Sequence, residues 1–268
     1  MPQIARLSVT PVKGTALHHP EAIQLGFNGL GQNRAFYLVD AVGQMANGKR
    51  FGSLVQIRAD YDADAQTLSL STPDGNGLTE PVGITDERTE TNFYGRPVRG
   101  SVVNGQFAEF ISSHVGATLR LLRADEPGAG VDVHPVTLIS NATVDLIRDQ
   151  AGAPAEAWRD RFRVMVELEG LDPFEEEGWT NMAVSAGEAL LSIVGPVPRC
   201  VVTTQNPRTG EKDFDTLAAL HRLRGNNNRR LSTPTEHLPD GGRLILGMYA
   251  TVTTPGTVRR GDPVQLVG

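Results

Sequence analysis

Apolar residues in this chain come in short alternating runs, each cut off within a few positions by glycine or proline. That pattern limits the fold to many short strands. Residues 4–10, 22–25, 54–60 and 67–71 alternate apolar and polar side chains, the period of a strand with one buried face. Residues 35–40, 164–168, 188–194, 200–204, 243–253 and 264–267 also read as strands. Turn-rich stretches at 26–31 and 41–52 separate them, and Pro73-Asp74-Gly75-Asn76-Gly77 is a hairpin signal, because glycine supplies positive φ and aspartate bonds its own backbone. Four short helices are expected. One carries Phe107, Phe110 and Ile111 and is closed by Gly116; one runs from a Ser140 cap to Gly152; one opens at Pro154 and holds Trp158 and Phe162; the last runs from Asp215 to Arg224, with Leu217, Leu220 and Leu223 inward and Gly225 as its stop. A composition break at 124–131 (ADEPGAGV) divides the chain into 1–123 and 124–268. The expected class is mainly β with appended helices (α+β), built on a β-barrel-like core.

Composition narrows the function. The formal net charge is −6, so the broad basic field that supports non-specific nucleic-acid binding is missing. No 20-residue window is apolar enough for a membrane span, and the first residues lack the apolar core of a signal peptide, which points to the cytoplasm. The single cysteine excludes an intramolecular disulfide, a cysteine-rich zinc site and a four-thiolate iron–sulfur cluster within this sequence. The common hydrolase, nucleotide-binding and zinc-protease motifs do not occur.

Chemistry therefore has few places to reside. Cys200 follows Gly195-Pro196-Val197-Pro198-Arg199, where two prolines stiffen the approach and Arg199 favours the thiolate. It reads either as a soft metal ligand or as a small buried apolar residue. Lys13, just past a strand and beside Gly14, is a candidate anion contact, as are Arg34 and Arg163 at strand edges; each alone reads more readily as a solvated surface charge and gains weight only if they converge in space. Asp132, in Asp132-Val133-His134-Pro135, is suited to accepting a proton, and His134 to shuttling one; both also fit an ordinary turn. His18 and His19 read as exposed, and Glu175, Glu176 and Glu177 as an acidic loop.

Taken together, these blocks resemble the MOSC superfamily, in the branch of the mitochondrial amidoxime-reducing components and their bacterial homologues. The resemblance rests on Thr10-Pro11-Val12-Lys13-Gly14, the block from Gly29 through Asn33-Arg34 to Asp40, Arg161-Phe162-Arg163, Phe174-Glu175-Glu176 with Trp179, Pro198-Arg199-Cys200 with Thr203, Pro207, Thr209 and Gly210, and Gly261-Asp262-Pro263-Val264. It implies an N-terminal β-barrel-like domain packed on a MOSC β-barrel domain. It implies Cys200 as ligand to the molybdenum of a molybdenum cofactor (Mo-molybdopterin), with Lys13, Gly14, Arg34, His134, Arg163 and Arg199 around the cofactor and Asp132 near the metal; pyridoxal phosphate is not expected. The implied activity is reduction of a small N-hydroxylated substrate, an amidoxime or hydroxylamine, with electrons from a separate flavin reductase or ferredoxin-like protein. The alternative is a cofactor-binding or carrier protein without turnover. Departures from the family pattern are Gly14 for serine, Val133-His134 for Thr-Ser, Val164-Met165 for Pro-Asn and Pro198 for serine.

Overall fold

The computed structural model describes residues 1–226 and 244–267. The chain opens with β1 (Gln3–Leu7) and β2 (Ala22–Leu25), then β3 (Phe36–Asp40) and the short β4 (Met45–Ala46). A three-stranded meander follows, β5 (Arg58–Asp62), β6 (Thr67–Ser71) and β7 (Gly77–Pro81), then the long hairpin of β8 (Ile84–Phe93) and β9 (Arg96–Val103). Helix α1 (Phe107–Val115) leads into β10 (Leu119–Ala124). The second half contributes β11 (Val136–Ser140), α2 (Asn141–Ala151), β12 (Val166–Glu169), β13 (Ala183–Ala186), β14 (Ala189–Pro198), α3 (Thr216–Asn226), β15 (Ile245–Thr254), β16 (Gly256–Arg259) and β17 (Val264–Val267).

Among the described residues burial sorts these elements into two large cores, one in each half, and two smaller clusters, one around Val144, Trp158 and Leu220 and one around Tyr37 and Phe93. In the first half, the sheet ordered β4-β3-β10-β9-β8 and the β5-β6-β7 sheet share a core of Phe36, Leu38, Leu54, Ile57, Leu68 and Leu121, closed by Phe107 and Ile111 of α1. β6 shows the cause directly: Leu68 and Leu70 are buried while Thr67, Ser69 and Ser71 are not. In the second half, seven strands run β1-β12-β11-β15-β14-β13-β17. The two ends meet through a bridge between Gln3 and Pro263, with Ile4 donating to the Asp262 carbonyl at 2.9 Å and Val264 to that of Pro2 at 2.9 Å. The sheet is thus a nearly closed barrel filled by residues such as Leu7, Leu138, Leu168, Leu191, Ile193 and Met248. β11 and β12 are parallel neighbours, and α2 makes the crossover between them.

Two features cross the division expected at residue 124. β1 pairs with β12 and β2 with β16, so the first strands lie in the second sheet system. The break at 124–131 is also not a free tether. A Cβ on Gly130 would fall 1.8 Å from the Arg34 carbonyl oxygen, so the loop is pressed against the Arg34 backbone.

Several local expectations are corrected. Residues 52–56 form a 3-10 turn and the strand begins only at Arg58, because Leu54 and Ile57, both fully buried, lie three apart rather than two. Residues 201–204 are likewise 3-10 rather than strand: the Thr203 and Thr204 hydroxyls donate to the carbonyls of Cys200 and Val201 at 2.9 and 2.7 Å, which overrides the extended preference of Val-Val-Thr-Thr. The helix expected from Pro154 is only the short turn Arg159–Phe162, on which the Trp158 and Phe162 rings meet edge-on at 5.3 Å. The Glu175–Trp179 segment is no exposed acidic loop. Glu176 is fully buried, accepting from the Ser140 N–H and the Thr143 hydroxyl at 3.1 Å, and Glu177 pairs with Arg224. α3 continues through Gly225 to Asn226; Leu220 and Leu223 are buried and Leu217 only partly so. The expected strand start at Arg243 lies outside the described residues, and β15 runs from Ile245.

Candidate functional site

Cys200 ends the stiff Pro196-Val197-Pro198 approach of β14 with extended backbone (φ −125°, ψ 177°) and starts the 3-10 turn of residues 201–204. Its carbonyl is taken by the Thr203 N–H and hydroxyl at 3.0 and 2.9 Å, which fixes the backbone from which the thiol projects. The side chain is half-buried and lines a cleft of about 1170 Å³, counted out to open solvent, at the seam between the two cores. That size admits a ligand of several rings.

All eight positions singled out in the sequence line this one cleft: Lys13, Gly14, Arg34, Asp132, His134, Arg163, Arg199 and Cys200. Lys13 is 5% exposed; its Nζ donates to the Asp132 carboxylate at 2.6 Å and to the Gly130 carbonyl at 2.9 Å. Arg163 reaches across the seam to donate to the Thr15 carbonyl at 2.7 Å, and Arg34 makes a long 3.5 Å contact to the Arg163 carbonyl. Both arginines hold left-handed backbone, φ 55° and 50°, a conformation that costs a side-chain-bearing residue about 1 kcal/mol or more. Arg199 is placed differently from the other two. Its Nε donates to the Leu246 carbonyl and its Nη1 to that of Phe162, both at 2.8 Å, so it brings charge to the cleft while its donors are spent on backbone.

The balance of charge is the site's main property. Among the described residues six cations line it, Lys13, Arg34, Lys49, Arg161, Arg163 and Arg199, against Asp132 and Asp160. Asp160 is paired with Arg6 at 2.8 Å and Arg161 with Asp213 at 2.7 Å. Arg34, Arg163 and Arg199 have no carboxylate within 4.0 Å among the described residues. Burial pushes Lys13 down to about 8 and Arg163 and Arg199 down to about 10; for Arg163 the neighbouring Arg34 adds to it. These groups remain protonated at neutral pH but stand in a field that an anion would relieve. Burial alone would raise the Asp132 carboxyl, yet Lys13 and Arg34 more than reverse this and hold it below the usual carboxylate range. His134, its ring 5.1 Å from that of Tyr249, is lowered by burial and stays neutral at pH 7.

Sequence reasoning missed Asn47, Lys49, Tyr94 and Tyr249, which also line the cleft. Tyr94 and Gly95 are the two turn residues of the β8–β9 hairpin, with Phe93 facing Arg96 across it. Gly95 alone hints at a turn there; the charged run before Tyr94 gives no strand alternation, and nothing in the sequence aims the tip at Cys200. Packing against the 205–210 turn likewise emerges only in three dimensions. Gln205 donates to the Gly48 carbonyl at 2.7 Å, and a Cβ on Gly52 would sit 2.3 Å from the Gly210 oxygen.

Comparison with known proteins agrees with this architecture. A model of the MOSC N-terminal beta barrel domain matches residues 1–118, and one of the MOSC domain matches residues 125–265. The chain is 24% identical over 288 residues to human mitochondrial amidoxime-reducing component 1, covering 99% of this chain and 83% of that protein. It is 26% identical over 235 residues to the molybdenum cofactor sulfurase of Drosophila willistoni, covering 83% of this chain but only 29% of that longer protein. Among solved structures, the YUAD protein from Bacillus subtilis aligns over 98% of this chain and 94% of its own with TM-score 0.43 and 10% identity. With the MOSC model matched over more than half of its length and the N-terminal companion model over most of the remainder, this chain belongs to the MOSC-domain family.

Proposed function

We propose that this chain binds molybdenum cofactor in the seam cleft and uses it to reduce N-hydroxylated compounds. The observation that carries the reading is a lone half-buried thiol in a cleft lined, among the described residues, by six cations and two carboxylates, on a chain whose net charge is −6. A soft thiolate suits a sulfur-rich metal centre, and buried cations without carboxylate partners suit a pterin phosphate, so the residues present fit the group. Cys200 would hold the metal. Lys13, Arg34 and Arg163 would hold the phosphate, with Gly14 leaving room for close approach and Arg199 adding charge from behind. The relative named for molybdenum cofactor sulfuration supports the cofactor, and the one named for amidoxime reduction supports the substrate class.

When bound, the cofactor supplies a metal that passes two electrons. Reduction of an amidoxime takes two electrons and two protons, breaks the N–O bond and releases the amidine and water. Asp132 stays ionised at neutral pH, so it holds the Lys13 ammonium in the cleft and does not store the proton. His134, neutral and at the cleft wall, relays protons from solvent. With one cysteine, this sequence builds no four-thiolate iron–sulfur cluster of its own, so the electrons come from a flavin or ferredoxin-like donor outside this sequence.

Turnover of benzamidoxime by cofactor-loaded protein with a reduced viologen dye tests the reading. Benzamidine production that disappears in Cys200→Ala is the expected result. Metal retained without turnover would replace it with a cofactor-holding role, which the donors spent by Arg199 on backbone and the loss of hydroxyls at Gly14 and Pro198 would then explain.

A further inference from the structure

The outer wall of the cleft comes from the tip of the β8–β9 hairpin, and its geometry is unusual for a mere turn. Phe93 pairs with Arg96 across a two-residue turn in which Tyr94 (φ 52°) and Gly95 (φ 95°) are both left-handed. The first position of such a turn favours Asn, Asp or Gly; tyrosine there is strained. The residues on either side are anchored. Phe93 is buried beneath the Lys13 ammonium at 4.8 Å, and Arg96 donates to the Ala129 and Val131 carbonyls at 2.9 and 2.6 Å, holding the loop that carries Asp132. Tyr94 itself remains 54% exposed while lining the cleft.

Its ring is held from the facing loop. Asn47 donates from its side-chain nitrogen to the Tyr94 hydroxyl at 3.2 Å, and its side-chain oxygen accepts the Lys49 N–H at 3.0 Å. That places the Lys49 ammonium 4.8 Å from the centre of the Tyr94 ring. Lys49 is exposed, lines the cleft and forms no ion pair among the described residues. A flat aromatic surface is thus fixed beside an unspent cation, close enough to Cys200 and Asp132 for both to act electrostatically on the phenol.

We propose that Tyr94 and Lys49 form the substrate-recognition lip of this cleft, selecting flat aromatic N-hydroxylated compounds and, among these, ones that carry an anionic group. The proposal rests on the reading of the cleft as the reductive site. Asn47 is its positioning residue.

The test uses the cofactor-loaded full chain with acetamidoxime, benzamidoxime and 4-carboxybenzamidoxime, read both by calorimetric binding and by kcat/KM. Tyr94→Asn keeps a residue suited to the turn, so the hairpin is retained. It should weaken binding of both aromatic probes about tenfold and lower the benzamidoxime-to-acetamidoxime ratio of kcat/KM to the same extent. Lys49→Gln should weaken 4-carboxybenzamidoxime binding about fivefold more than it weakens benzamidoxime binding. Unchanged aromatic binding in Tyr94→Asn overturns the lip, and so does a wild-type chain that binds neither aromatic probe. Aromatic binding without turnover, weakened by Tyr94→Asn, supports the lip and counts instead against the reductase reading. Turnover whose selectivity ignores both substitutions overturns the lip and leaves that reading in place.

Discussion

Lys13 is a cation kept where cations are costly. It is 5% exposed, and burial lowers it from 10.5 to about 8, against the pull of Asp132. A depressed lysine loses its proton earlier in the folded state, so between about 8 and 10.5 stability rises with pH, and below 8 the buried charge is a liability. Lys13→Met should therefore raise thermal stability at pH 7 while weakening anion binding. Calorimetry with inorganic phosphate should show wild-type affinity falling as pH passes 8, and a flat, weaker profile in the variant. Glu176 carries the opposite sign. It is raised from 4.5 to about 7, chiefly by burial, so the folded state holds the proton longer and stability falls as pH rises from 4.5 to 7. Glu176→Gln should flatten that slope in thermal melts across the same window; a slope unchanged by the substitution would place its cause elsewhere. Sequence exposed Lys13, Arg34 and Cys200 because each sits in a block with a recognisable neighbourhood. It hid Glu176, since one glutamate in Glu175-Glu176-Glu177 gives no sign of being the buried one. It also hid Tyr94 and Tyr249, isolated aromatics whose role depends on what faces them.

At the level of elements, the cleft is built from irregular pieces held against one another. Arg34 and Arg163 stand in left-handed backbone, Cys200 opens a 3-10 turn, and the 128–131 loop touches backbone at two glycines. Gly130 is the sharpest case: a Cβ would lie 1.8 Å from the Arg34 oxygen, and neither backbone is the end of a flexible side chain. Gly130→Ala should cost about 1–3 kcal/mol and displace both Arg34 and the Asp132 loop, seen as a lower unfolding midpoint together with weaker phosphate binding. Gly195→Ala, at a position that like Gly130 has no left-handed φ but has nothing within 4 Å, controls for the added methyl without the clash. Strands such as β6 were legible because one face is buried. β7 and most of β8 were not: residues 84–90 bury no side chain fully, so no alternation marks them and pairing with β9 alone makes them strand. The 3-10 turn at 201–204 was misread because threonine hydroxyls, not side-chain shape, decide it.

Across the whole molecule, the decisive feature is a cationic cleft in an acidic chain, set where two cores meet. The barrel-plus-barrel architecture was legible from the resemblance and from the many short strands; the pairing of β1 with β12 in the seven-stranded sheet and of β2 with β16 in a separate two-stranded one was not, because strand pairing between residues more than 150 apart leaves no local trace. That pairing puts Lys13 and Thr15, just beyond β1, within reach of Asp132 and Arg163. A low-dielectric cleft with an excess of cations concentrates an anionic ligand that the protein's net charge would otherwise repel. Everything in that arrangement converges on one sulfur, so the most direct measurement is molybdenum content per chain, in protein from a molybdenum-replete host, for wild type and Cys200→Ala. About one metal per wild-type chain, falling below roughly a tenth in a variant that melts at the same temperature, is the expected result; equal metal content in the two proteins would contradict it.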